Sequence, residues 1–229
     1  MNTGKKTARI VGALFLIAMV ASLAGGLWLE SIVGAPDYLA AAYANETQVI
    51  LGVLLELINC LAVVGIAAVL FPLMRRHSEG LAAGYLGTRV VEAVILSVAA
   101  VSPLLIVTLS QEYVAAGAPD AAYFQTAGTL IMAARGYLAS LLTPIFFSLA
   151  ALLLYSFLYR SRLVPRFIAV WGFIGVVSLF TWNMLEAFGM SISAGMVFAL
   201  PMILNEILLG IWLIVKGFNS PAVSVESAY

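Results

Sequence analysis

The basic residues of this chain sit only at every second break between its long apolar stretches, and that alternation constrains the fold more than any other feature. Lys5, Lys6 and Arg9 precede the first apolar run, and residues 30–46 after it contain no Lys or Arg. The next break carries Arg75, Arg76 and His77, and residues 110–120 again have no basic residue. Arg160, Arg162 and Arg166 fill the break after the fourth run. The break after the fifth has none, and Lys216 follows the sixth. Lys and Arg are retained on the cytoplasmic side of a membrane. The pattern therefore predicts six crossings with both termini cytoplasmic.

Composition agrees with this. Hydrophobic residues make up 63% of the 229 and charged residues 10%, where a soluble domain carries about 25% charged. There is too little polar material to clothe a core, so lipid must be the outer solvent. The expected fold is all-α, an integral membrane bundle of six transmembrane helices, N-in and C-in, with one or two short outer interfacial helices. The spans fall at about 10–29, 49–73, 81–105, 136–158, 167–188 and 196–215, each near the roughly 20 residues a crossing needs. Residues 1–218 form a single six-span domain and 219–229 a short cytoplasmic tail. A signal-peptide reading of the first run fits less well, because the run passes Ser22-Leu23-Ala24 to Trp28 without a polar cleavage region.

Two segments are less simple. Residues 121–134 run straight into the fourth span, and together they would make a helix of about 60 Å, twice the hydrocarbon thickness. They are expected as an outer, interfacial or re-entrant helix that forms a lid with residues 37–47. Ala18, Ser22 and Gly26, spaced by four, read as a close-packing stripe on the first span. Trp28, Tyr38 and Tyr43 are expected at the outer interface, and Tyr155, Tyr159 and Trp171 at the inner one. Thr143-Pro144 predicts a kink in the fourth span.

Several function classes are excluded. Net charge is zero with no basic block, so no nucleic acid is expected as partner. The single cysteine, Cys60, cannot form an intramolecular disulfide, and the single histidine, His77, lies in a loop. Bis-histidine haem and His-built zinc sites lack their ligands, so no metal and no cofactor is expected. No Ser–His pair and no aspartate pair falls within the spans, which removes both intramembrane protease schemes. No catalytic residue is assigned.

Three stretches carry a resemblance. They are EGLAAGYLGTRVVEA at 79–93, RLVPRFIAVWGFIG at 162–175 and NEILLGIWLIVKGF at 205–218. They resemble a bacterial multi-pass membrane-protein family catalogued as domain of unknown function 4386, over nearly the whole chain. The resemblance implies a bacterial inner-membrane protein and implies no activity.

Function must then come from the polar residues inside the spans, where ionised groups are expensive. Arg89 and Glu92 lie three apart on one face of the third span, about 12 Å and 17 Å from its cytoplasmic end. Asn205 and Glu206 are near the middle of the sixth. Glu56 lies in the outer third of the second span, with Asn59 one turn below. Arg135 heads the fourth span, and Asn183 and Glu186 lie in the outer part of the fifth. A lone charge at the bilayer centre costs about 2.5–3.5 kcal/mol on insertion scales, so these groups must face one another or a wet cavity. Arg89 is expected to pair with Glu92, Glu206 or both, and Arg135 with Glu56 or Glu186. The acids outnumber the arginines, so one carboxylate is protonated or meets a cation. Glu206, with no charged neighbour on its helix, is the candidate.

The leading expectation is a small transport- or receptor-like protein whose carboxylate-rich pocket takes a cationic or amphiphilic small ligand, or a proton. The bilayer is its solvent and a lipid or small molecule its ligand; the sequence does not set an oligomeric state. The principal alternative is a structural or partner-binding subunit whose buried ion pairs only specify helix packing. An intramembrane lipid-modifying enzyme is third. A cavity touching Glu92 and Glu206 would favour the first. The topology itself is testable: cysteines at His77 and Arg162 should label from the cytoplasmic face, and those at Asp37 and Asp120 from the opposite face. Labelling of Asp120→Cys from the cytoplasmic face alone would overturn the orientation.

Overall fold

The computed structural model describes residues 3–117, 121–190 and 195–219. Asp120 and residues 220–229 of the expected tail therefore lie outside the described residues. The described chain is helical, with no strand. The helices are α1 (Thr3–Val33), α2 (Tyr38–Ala44), α3 (Glu46–Arg75), α4 (Glu79–Ala99), α5 (Val101–Ala115), α6 (Ala121–Gly136), α7 (Thr143–Ser161), α8 (Arg166–Ala187) and α9 (Met196–Val215). A π-helical turn, Tyr137–Leu142, joins α6 to α7.

Six helical segments are long and apolar enough to cross a membrane, and the protein is a multi-pass membrane bundle. Each crossing helix packs on the next in the chain, α1 on α3, then α4, α7, α8 and α9, and α9 packs back on α1 to close a ring. The first four crossings overrun their expected spans at both ends, whereas the last two, Arg166–Ala187 and Met196–Val215, match theirs to within a residue. Hydrophobicity marks where lipid ends, whereas backbone hydrogen bonding carries a helix on into water.

The third and fourth crossings show this most clearly. Residues Glu79–Ala115 and Ala122–Ser161 form segments of 37 and 40 residues, about 55 Å and 60 Å at 1.5 Å per residue. The expected loop at 110–120 is helical as far as Ala115. Likewise α6 joins α7 through a π-turn where the sequence suggested a separate piece. The excess length projects beyond the span, where α5 packs on α2 and α6. Tyr38 donates to the Gln125 carbonyl at 3.3 Å, and Gln111 Nε2 to Glu46 Oε2 at 3.1 Å. The expected lid thus has three helices, because α5 continues α4.

Local chemistry explains the breaks. Ser78 caps α4 by accepting from the Leu81 amide at 3.3 Å. Pro103 has no N–H to give the carbonyl four residues back, and α4 breaks into α5 at Ala100. Pro144 has the same effect beside the π-turn. At the α7–α8 corner Arg162 adopts a left-handed conformation, φ 54°. Asn219 clamps that corner, its amide donating to Leu163 O and its side chain to Arg162 O, both at 2.9 Å. Every Lys and Arg except Arg89 and Arg135 is gathered by the topology at the end bearing both termini, here the terminal end. The end with α2, α5 and α6 is the distal end.

Apolar packing is layered along the axis. The larger cluster fills the terminal half, with Val11, Leu70, Tyr85, Leu154, Ile168 and Leu213 among its members. A smaller one at the distal end gathers Leu29, Val33, Ala42, Val49 and Ile106. Between them a third cluster, Ala18, Cys60, Ala62, Val63 and Ala93, packs beside the polar residues.

Small residues set the helix spacing, and of the expected stripe Ala18 is packed in an apolar cluster while Gly26 is not. A Cβ on Gly12 would stand 2.5 Å from the Gly210 carbonyl oxygen, so α1 and α9 cross backbone to backbone there. Gly175 meets the Met202 backbone in the same way, at 2.9 Å. Gly26, by contrast, has nothing within 4 Å of its Cβ position. Gly12→Val should therefore push α1 from α9 and cost about 1–3 kcal/mol, the usual overpacking range. Gly26→Ala should cost little. Unfolding of the two variants in detergent checks this; equal losses would contradict the assigned crossing.

Candidate functional site

α4 buries Tyr85, Thr88, Arg89, Glu92 and Ala93 along one face. Arg89 and Glu92 are each 2% exposed. Arg89 Nη1 donates to both carboxylate oxygens of Glu92, at 3.0 and 2.9 Å. The guanidinium lies 5.6 Å from the Tyr85 ring centroid and 5.3 Å from that of Phe147 on α7. The π-faces attract the cation, while Glu92 neutralises it. Because the pair lies within one helix, it does not by itself select which helices are neighbours.

The second pair does select neighbours. Arg135, at the end of α6, grips Glu56 of α3 with two bonds, Nη2 to Oε1 at 2.5 Å and Nη1 to Oε2 at 3.2 Å. Both side chains are mostly buried, at 14% and 16% exposed. Nη1 also donates to the Ala99 carbonyl at 3.0 Å. That carbonyl is the one Pro103 leaves without its helical donor. The proline opens the ladder, and the arginine closes the resulting gap while holding α3, α4 and α6 together.

Two cavities lie inside the ring. The deep one, about 290 Å³, is walled by Arg89, Glu92, Glu206 and Asn59, with Met19, Ile66, Phe147 and Ile203 among its apolar faces. The distal one, about 310 Å³, is walled by Glu30, Glu56, Arg135, Asn59, Ser140 and Gly26, among others. They share Ser22, Asn59, Leu96 and Ala139. On each helix that contributes to both, the distal set is displaced toward the α2 end, so the cavities stack along the axis. Small-molecule sites run from about 300 to 1,000 Å³; the two spaces together are of that size.

The other sequence candidates separate clearly. Glu206 faces the deep cavity and makes no hydrogen bond or ion pair among the described residues, although it lies within electrostatic reach of Arg89 and Glu92. Asn59 stands at the wall common to both cavities. Asn205 is turned away from them. It is fully buried, accepts from the Tyr155 hydroxyl at 2.7 Å and donates to the Ile168 carbonyl at 2.8 Å, bolting α9 to α7 and α8. Asn183 Nδ2 donates to Leu179 O in its own helix at 2.8 Å. Glu186 is exposed, and neither residue lines a cavity. Arg135 thus meets Glu56 and not Glu186, because α8 contributes to neither cavity.

Sequence reasoning missed Glu30, taken as a loop residue, and Phe147, which carries no local signal. Ser22 and Gly26 also line the cavities, so the small-residue stripe leaves space there where helix contact was expected. Tyr155, expected at the interface, is buried in the core. Its ring fills the space that a Cβ on Gly172 would need. Among the described residues no three His, Cys, Asp or Glu side chains gather as metal ligands.

The protein family described as domain of unknown function (DUF4386) matches residues 10–217. No curated protein and no solved structure matches the chain.

The Asn205 geometry generates a stability test. Asn205→Ala strands the Tyr155 hydroxyl and removes two interhelical bonds. The expected loss is about 1–2 kcal/mol, the scale of such bonds between membrane helices. Phe147→Leu, which reshapes a cavity wall and removes one ring from Arg89 but breaks no hydrogen bond, should lose less. Unfolding in mixed micelles measures both, and an Asn205→Ala protein as stable as wild type would show the bolt to be idle.

Proposed function

The chain belongs to the DUF4386 family, a membership that brings no activity with it, and we propose that it binds a small organic cation with an apolar body in the deep cavity, as a transport- or receptor-like membrane protein. The observation that carries this reading is Glu206. Arg89 is matched by Glu92, and Arg135 by Glu56. Of the two carboxylates that line the deep cavity, Glu92 and Glu206, only Glu206 has no cationic partner at hydrogen-bonding distance among the described residues, and it faces about 290 Å³ of space. A carboxylate in a mainly apolar cavity favours a ligand with one positive charge and a hydrocarbon surface. Phe15, in the same wall, suits an alkylammonium through its π-face, while Phe147 already faces Arg89. A proton alone would not need a cavity of this size.

The structural alternative has one observation in its favour. The Glu56–Arg135 bridge joins three helices and so contributes to packing. It does not account for Glu206, which joins nothing. The proposal places the protein in a bacterial inner membrane with the terminal end cytoplasmic, on the strength of the basic residues gathered there.

Benzyltrimethylammonium is a suitable probe. It should raise the melting temperature of the wild-type protein in detergent, since a ligand at a hundred times its Kd adds about 2.7 kcal/mol. Glu206→Gln keeps the size and shape of a carboxylic acid, so the variant should melt near wild type and lose the response to the probe. A large loss of stability at neutral pH would instead mark Glu206 as an ionised packing partner. Breaking such a buried pair from one side costs about 3–5 kcal/mol.

A further inference from the structure

Ser22, Asn59, Leu96 and Ala139 line both cavities and so stand at the boundary between them. The Arg135–Glu56 bridge lies one helical turn to the distal side of it: Glu56 precedes Asn59 by three residues and Arg135 precedes Ala139 by four. On the other side of the deep cavity the larger apolar cluster closes the terminal half of the ring. An aqueous solute approaching the deep cavity along the axis therefore comes through the distal cavity and past the bridge.

Three features make the bridge suited to opening. Glu30 of α1 lines the same distal cavity as Arg135 and has no ion-pair partner among the described residues. It is a second carboxylate in the wall of the cavity that Arg135 lines. Arg135 is followed directly by Gly136, whose Cβ position is open, and by the π-turn Tyr137–Leu142. Such turns are uncommon and cluster at functional positions. Finally, the Ala99 carbonyl that Arg135 satisfies belongs to the α4–α5 break, so a second helix discontinuity lies against the first.

We infer that the Arg135–Glu56 bridge is a gate over the deep cavity, and that Arg135 opens it by exchanging Glu56 for Glu30 as α6 pivots at the π-turn. While closed, the gate puts a guanidinium across the path of a cation. Exchange between two carboxylates keeps the arginine neutralised in both states, so neither state leaves it bare in a low-dielectric site. The inference concerns access to the cavity of the preceding section and rests on that reading only for the identity of the ligand.

The test uses no ligand, so its result is independent of whether benzyltrimethylammonium binds. Cys60 is replaced by Ala, and a cysteine is placed at Met19, which lines the deep cavity alone, or at Gly26, which lines the distal cavity alone. The probe is the cationic thiol reagent 2-(trimethylammonium)ethyl methanethiosulfonate. Glu56→Gln combined with Arg135→Gln removes the bridge without leaving either charge behind. Modification of Met19→Cys should then be about tenfold or more faster, as a minor open state becomes the common one, while Gly26→Cys keeps its rate. Glu30→Gln leaves the bridge intact, so its folding is not at issue. It should slow Met19→Cys, because the open state has lost its partner. Equal Met19→Cys rates with and without the bridge overturn the gate, and an unchanged rate in Glu30→Gln overturns the exchange of partners.

Discussion

Carrying Arg89 and Arg135 into an apolar bundle sets the conditions that the surrounding helices must meet. A guanidinium does not lose its charge in a protein, and hydrocarbon offers it nothing. Each arginine therefore requires an acid, and each acid fixes a part of the fold. Arg89 meets the requirement inside α4 with Glu92, so the pair travels as a neutral unit that any neighbour can pack against. Arg135 meets it across the bundle, on α3, so α6 can sit in few other places. One pair is insensitive to helix arrangement and the other depends on it.

Backbone polarity follows the same rule on a smaller scale. Each proline within a crossing leaves a carbonyl without its donor, and lipid cannot supply one. At Pro103 the missing donor is Arg135 itself, which ties a side-chain ion pair to a backbone defect. Beside Pro144 the chain widens into a π-turn, and Thr143 returns its hydroxyl to the Leu138 carbonyl at 2.9 Å. The discontinuities of the third and fourth crossings therefore lie beside the polar layer and not in the dry terminal half.

That layering leaves space between the packed ends. Dry clusters at both ends hold the ring rigid, with close backbone contacts at Gly12 and Gly210 setting the terminal spacing. Between them Ser22 and Gly26 are too small to fill the interior, and space remains. Into that space Glu206 brings a carboxylate with no cation at hydrogen-bonding distance among the described residues, Arg89 being engaged by Glu92. Such space and such a carboxylate both cost free energy.

Much of this was legible in the sequence, for reasons that can be named. Hydrophobic run length and the placement of Lys and Arg are set by the bilayer, so the six crossings and the shared end of the termini follow from local counting. Arg89 and Glu92 lie three residues apart, a spacing that dictates contact on any helix. Other features depend on residues distant in the chain. Whether a small residue closes a contact or leaves a cavity depends on what faces it, which is why Gly12 is packed and Gly26 is not. Asn205 and Glu206 are adjacent, yet a step of one residue turns a helix by about 100°, and only the neighbouring helices decide that the first is bolted to Tyr155 while the second faces space. The choice of Glu56 over Glu186 for Arg135 has the same origin. The sequence by itself determined how many times the chain crosses, which end is basic and which residues are too polar for lipid. The tertiary structure decided which of them meet one another and that Glu206, in the deep cavity, meets none of them at hydrogen-bonding distance.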